Sequence, residues 1–96
     1  MKNIKLILSY DGTNYHGWQC QPDRKTVQET IKNAIERIVN HDVKVYGGAR
    51  TDSGVHAMGQ VANFFTEKSI DLLCLKRGLN SLLPKDIRVI DAAHTD

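Results

Sequence analysis

The sequence predicts an α+β domain in which four strands and two helices follow one another in the order βαββαβ. Three observations lead there. Four segments alternate apolar and polar residues, as half-buried strands do. Two longer segments repeat apolar residues every three or four positions, as one-sided helices do. Each β-α-β crossover should be right-handed. A four-stranded antiparallel sheet with two helices on one face meets all of these conditions, and this is the ferredoxin-like arrangement. With 96 residues, one domain over 1–96 with a single modest core is expected.

The first strand spans Ile4 to Tyr10, with Ile4, Leu6 and Leu8 on one face. Ile7 on the other face suggests a central strand rather than an edge. Asp11 to Asp23 is a polar loop opened by the turn signal Asp11-Gly12. Its large aromatics, Tyr15 and Trp18, either cap the edge of the core or stand beside a bound base, where stacking is useful. The first helix runs from Thr26 to Asn40. Thr26 and Glu29 have capping-box spacing, Val27, Ile31, Ala34, Ile35 and Ile38 form the apolar stripe, and Asn40 is a plausible stop.

Val43 to Gly48 alternates, with Val43 and Val45 opposite Lys44 and Tyr46. Gln60 to Thr66 alternates again, with Ala62 and Phe64 opposite Val61 and Phe65. These two segments can pair as a hairpin. Ser69 is expected to cap a second helix over Ile70 to Ser81, with Leu72, Leu73, Leu75, Leu79 and Leu82 on its apolar side and Pro84 at the exit. The last strand covers Asp86 to Ile90.

The chemistry concentrates between the two hairpin strands, in Gly47 to Met58, G-G-A-R-T-D-S-G-V-H-A-M. The connection is far longer than a hairpin turn, and long connections are usually functional or disordered. Its density of Gly, Arg and Asp argues against disorder. If the segment is extended, Arg50 and Asp52 share a face, and the guanidinium favours an ionised aspartate. Such a carboxylate can act as nucleophile, general base or metal ligand. The competing reading is a polar turn in which Asp52 bonds its own backbone.

Composition narrows the field. No run approaches the length of a membrane span, so no membrane partner is expected. The chain opens directly into a strand-like segment without a signal peptide. Cys20 and Cys74 belong to no C-x-x-C pattern and read as reduced thiols of a cytoplasmic protein. His16, His41, His56 and His94 have no ligand spacing, so no metal is expected. A net charge of +2 permits a nucleic-acid partner without arguing for one.

With these residues in place, the chain resembles the tRNA pseudouridine synthase A family along its whole length. Four stretches carry the resemblance: Y-D-G-T-N-Y-H-G-W-Q at Tyr10 to Gln19, T-V-Q-E at Thr26 to Glu29, R-T-D-S-G-V-H-A at Arg50 to Ala57, and L-N-S-L-L-P-K-D-I-R-V at Leu79 to Val89. Ala49, Ser53 and Cys20 depart from the family's usual residues, and none of them touches Arg50 or Asp52. The resemblance implies isomerisation of uridine to pseudouridine in the anticodon stem-loop of tRNA. No redox change occurs and no group is lost, so no cofactor is needed.

The family's aspartate maps onto Asp52, which attacks C1′, adds to C6 of the base or removes a ribose proton. Its arginine maps onto Arg50, which holds Asp52 ionised and helps fill the space left by a flipped base. Tyr10, Arg24 and Lys25 are further RNA-binding candidates, and Lys5 and Lys44 are candidate phosphate contacts. For the basic residues a plain solvated charge is the alternative. The family continues into a second domain, so the resemblance implies that this chain is the aspartate-bearing N-terminal half of a longer, homodimeric enzyme. It is expected to be inactive alone, with apolar side chains such as Ile7 uncovered on its open sheet face. A non-catalytic RNA-binding module using that face is the alternative, although V-A-N-F-F at Val61 to Phe65 lacks the usual basic-Gly-aromatic lead-in of such modules.

Overall fold

A computed structural model describes residues 1–15, 17, 25–47 and 57–95. The elements are β1 (Lys2–Tyr10), α1 (Val27–Val39), β2 (Tyr46–Gly47), β3 (Ala57–Thr66), α2 (Leu72–Leu82) and β4 (Ile87–Thr95). The sheet order is β2-β3-β1-β4, and every pairing is antiparallel. Both helices lie on one face, which makes this the ferredoxin-like arrangement that the order of elements implies. β1 is central, as Ile7 suggested.

The core lies between the sheet and the helices. Ile4, Leu6 and Leu8 of β1, Ala62 and Phe64 of β3, and Ile87 and Val89 of β4 face Val27, Ile31, Ala34, Ile35 and Val39 of α1 and Leu75 and Leu79 of α2. Thr26 caps α1 by accepting from the Glu29 N–H, and Asn40 ends it in the left-handed conformation at φ 61°. The helices approach closely at Gly78, where an added Cβ would lie 3.1 Å from the Ile38 Cδ1.

Several details differ from the sequence reading. β2 is only two residues long, although Val43 and Val45 are buried as expected. The approach to β2 bonds side chains instead of a neighbouring strand: the Val43 N–H donates to the Glu36 carboxylate at 2.9 Å, and the Val45 carbonyl accepts from the Gln28 amide at 2.6 Å. Asp71, not Ser69, caps α2, because its carboxylate accepts from the N–H groups of both Leu73 and Cys74. Of the leucines assigned to the apolar side of α2, Leu73 and Leu82 are exposed. Leu75 and Leu79 are buried, one turn apart. β4 continues to Thr95 because the whole length of β1 is available to pair with it.

Two bulges shape the sheet. Leu8 pairs with Gln60 and Ser9 with Met58, which leaves Gly59 as the extra residue of β3. Its φ of +88° is a conformation that favours glycine. On the other side, Ile7 pairs with Asp91 and Leu8 with Val89, so Ile90 is the extra residue of β4. The Asn80 side chain holds the strand just before this bulge, donating to the Val89 carbonyl at 3.0 Å and accepting from the Val89 N–H at 2.7 Å.

Candidate active site

Antiparallel pairing brings the end of β1 and the starts of β3 and β4 to one edge of the molecule. Tyr10 pairs with Ala57 on one side and with Ile87 on the other. Segment 48–56, which carries Arg50 and Asp52, lies between β2 and β3 in the sequence, and β3 begins at this edge with Ala57. Arg50, Asp52, Arg24, Trp18 and His56 lie outside the described residues, so the site is built from its surroundings.

The loop after β1 is fastened to the start of β4. The Asp11 N–H donates to the Asp86 carbonyl at 2.9 Å. The Asp11 carboxylate in turn accepts from the N–H and hydroxyl of Thr13, which starts a short 3₁₀ turn over Gly12–Asn14. Tyr15 then enters the core at 2 % exposure and donates its hydroxyl to Asp86 Oδ1 at 2.7 Å. Burial, then the hydrogen bond to Asp86 and that carboxylate's charge, push the Tyr15 phenol well above the usual range for tyrosine. Of the two readings of the loop aromatics, Tyr15 therefore takes the core one. The loop is tied at its far end as well, where the Val27 N–H donates to the Gly17 carbonyl at 3.2 Å.

The other candidates sort by exposure. Lys25 is exposed, with its Nζ 4.9 Å from the centroid of the Tyr15 ring. That contact holds a cation at the rim of the site. Tyr10 is buried at 4 % exposure, paired with the first residues of β3 and of β4. Among the described residues no three His, Cys, Asp or Glu side chains gather into a metal-binding group.

Sequence reasoning missed the partnership of Tyr15 with Asp86, and no local pattern could have revealed it, because the two are 71 positions apart. It also gave Tyr46 no role as a contact and weighed Phe65 only as part of V-A-N-F-F. Their signal was present: both are aromatics on the solvent phase of an alternating strand.

A four-stranded antiparallel sheet with two helices on one face, whose β2–β3 connection carries Arg50-Thr51-Asp52 in sequence, defines a ferredoxin-like α+β domain. A family model described as tRNA pseudouridine synthase matches residues 6–96. The chain belongs to the tRNA pseudouridine synthase family. Three curated relatives, each named tRNA pseudouridine synthase A, illustrate the likeness. That of Caldicellulosiruptor saccharolyticus is 55 % identical over 94 residues, covering 98 % of this chain and 38 % of the relative. That of Maridesulfovibrio salexigens is 52 % identical over 92 residues, covering 96 % and 34 %. That of Acetivibrio thermocellus is 50 % identical over 96 residues, covering 100 % and 39 %. The chain thus spans between a third and two fifths of the length of these relatives.

Proposed function

We infer that the longer protein carrying this sequence isomerises uridine to pseudouridine in the anticodon stem-loop of tRNA, with Asp52 as the catalytic carboxylate. One observation carries this reading. The four stretches of family resemblance, far apart in sequence, are joined around the two ends of segment 48–56. Tyr10 pairs with Ala57, Asp11 and Tyr15 bond Asp86, Val27 bonds Gly17, and Gln28 bonds the carbonyl that precedes β2. A scaffold braced in this way suits a loop that must hold reacting groups in fixed geometry.

In the reaction the N1–C1′ bond breaks and a C5–C1′ bond forms. The C5 proton leaves and N1 gains one, so atoms and charge balance within the nucleoside. Asp52 attacks C1′, adds to C6 or takes a ribose proton. In each case it must be ionised, which is the role of Arg50 beside it. Lys25 and Arg24 supply phosphate contacts. Tyr10, being buried, acts by holding the strand ends that frame the loop. The chain is the aspartate-bearing N-terminal part of the enzyme, which works as a cytoplasmic homodimer.

The test uses a full-length synthase carrying this sequence, incubated with an unmodified tRNA transcript and followed by mapping of pseudouridine. Asp52→Asn keeps the size of the side chain and removes its charge. It should abolish product while tRNA binding persists, and turnover near that of the parent would eliminate Asp52 as the key residue. Arg50→Lys keeps the charge and loses the planar fork, so the rate should fall at least about tenfold, a loss of about 1.4 kcal/mol in transition-state stabilisation. The second reading, a non-catalytic RNA-binding module, draws on the exposed aromatics Tyr46 and Phe65 of the open sheet face. It requires tRNA binding with no pseudouridine from any variant, the parent included.

A further inference from the structure

The open face of the sheet carries a feature that the site around segment 48–56 does not use. Tyr46 pairs with Asn63, and Phe65 lies two residues further along β3, so both side chains share the helix-free face. Both remain exposed, at 45 % and 39 %. Their rings meet edge to face, with centroids 6.0 Å apart and planes at 82°. The Nζ of Lys44 sits 5.4 Å from the centroid of the Tyr46 ring. Beside them is an open cavity of about 260 Å³ lined by Met1, His41, Asp42, Val43, Lys44, Tyr46 and Phe65. That volume is below the roughly 300–1,000 Å³ usual for drug-sized ligands.

We propose that Tyr46, Phe65 and Lys44 form a second RNA contact, in which one unpaired nucleobase stacks on the aromatic pair while its phosphate meets the Lys44 ammonium. The proposal rests on the reading that RNA is the substrate of this protein. The occupant follows from the chemistry of the patch. Two exposed rings at right angles offer both a face and an edge to a flat π-system. A cation beside the rings suits a ligand that is aromatic and anionic together, as a nucleotide is. The exposed Lys44 supplies an ammonium beside the rings, next to the carboxylate of Asp42. A purely apolar partner would leave these charges unanswered.

Phe65 lies eight residues beyond Ala57 along β3, roughly 26 Å at the usual rise of a strand, while Tyr46 lies in β2, which leads into segment 48–56. The contact is proposed for a nucleotide other than the one being isomerised. Its contribution is to affinity and register, with no part in bond breaking.

The experiment uses the full-length synthase and an unmodified tRNA transcript. Phe65→Thr and Tyr46→Ser keep strand-compatible, exposed side chains. Each should raise KM for tRNA about 5- to 100-fold, the span of a lost base–aromatic stack, with kcat within about twofold of the parent. Tyr46→Phe should retain parental KM, because it keeps the ring. Lys44→Gln should reduce the slope of log affinity against log salt by about 1. Photo-crosslinking of 5-iodouridine-substituted tRNA should label the peptide that contains Tyr46 or Phe65. Unchanged KM in both aromatic variants, with no label on these peptides, overturns the proposal. So does a change of sedimentation coefficient in those variants without a change in tRNA affinity, since the patch would then join protein to protein. If the parent forms no pseudouridine yet the label and the affinity losses appear, the catalytic reading fails and the second contact stands. If the parent forms pseudouridine and the aromatic variants match it in KM, only the second contact fails.

Discussion

Tyr15 shows how one side chain can tie distant sequence together. Its ring fills the core and its hydroxyl reaches Asp86, so it links the loop after β1 to the turn that starts β4. The raised phenol has a consequence for pH dependence. Below the unfolded tyrosine pKa of about 10, both folded and unfolded chains keep the proton and the stabilisation is complete. Above it, the unfolded chain releases the proton while the folded chain still holds it. Stability then falls as pH rises, by at most about 1.4 kcal/mol per pH unit for this one group. Tyr15→Phe should cost about 1.5–3 kcal/mol at pH 7, the worth of a hydrogen bond to a charged partner. It should also flatten the alkaline decline. Urea unfolding at pH 7 and at pH 11 checks both, and an equally steep decline in the variant would assign the effect to another group. Arg50 and Asp52 stood out as chemistry because their types and spacing are local. The bond from Tyr15 to Asp86 was illegible because it depends on how the sheet brings two remote turns together.

Among the elements, α1 and α2 approach closely at Gly78. A Cβ at Gly78 would press on Ile38 Cδ1, the far end of a flexible side chain. In Gly78→Ala the gain in helix propensity, about 1 kcal/mol, opposes the small shift forced on Ile38, and stability should stay within about 1 kcal/mol of the parent. Gly78→Leu cannot be absorbed in this way and should destabilise by about 1–3 kcal/mol. Thermal unfolding of the pair checks the contrast, and equal melting temperatures would mean that the helices can part freely. The elements that were read correctly had strong periodicity, such as the stripe of α1 and the alternation of Ala62 and Phe64 with Val61 and Phe65. The errors fell where a long-range partner overrode local pattern. Glu36 and Gln28 take the backbone groups that would have lengthened β2. β1 recruits Asp91 to Thr95, a stretch with little strand pattern of its own, into β4.

At the scale of the molecule, one sheet face is covered by helices and the other is not. The uncovered face carries Val61, Phe65 and Tyr46 as exposed apolar groups, with Ile7 half-buried opposite Val61. The sequence pointed to such a face through Ile7, although the more exposed members lie on β2 and β3. With a net charge of +2, the chain has little cationic surface for a polyanion. The 96-residue chain on its own is expected to form pseudouridine at less than about a hundredth of the rate of a full-length synthase, because positioning a flipped base takes contacts on both of its sides. Matched single-turnover assays at low and moderate salt provide the measurement. Equal rates would mean that these residues suffice for catalysis.

Gly59 sets how the chain enters β3. It is the one residue of the strand without a partner in β1, and its φ of +88° bends and twists the backbone there. Removing Gly59 would leave Met58 opposite Ser9 and Ala57 opposite Tyr10 in an unbroken ladder, and would take away that bend without altering any residue of segment 48–56. A synthase lacking this one residue should keep the helical content of the parent by circular dichroism, because the core positions of α1, α2 and β1 are untouched. Its rate of pseudouridine formation should fall to background. A single glycine, remote in type from any catalytic group, thus sets the angle at which the chain enters β3.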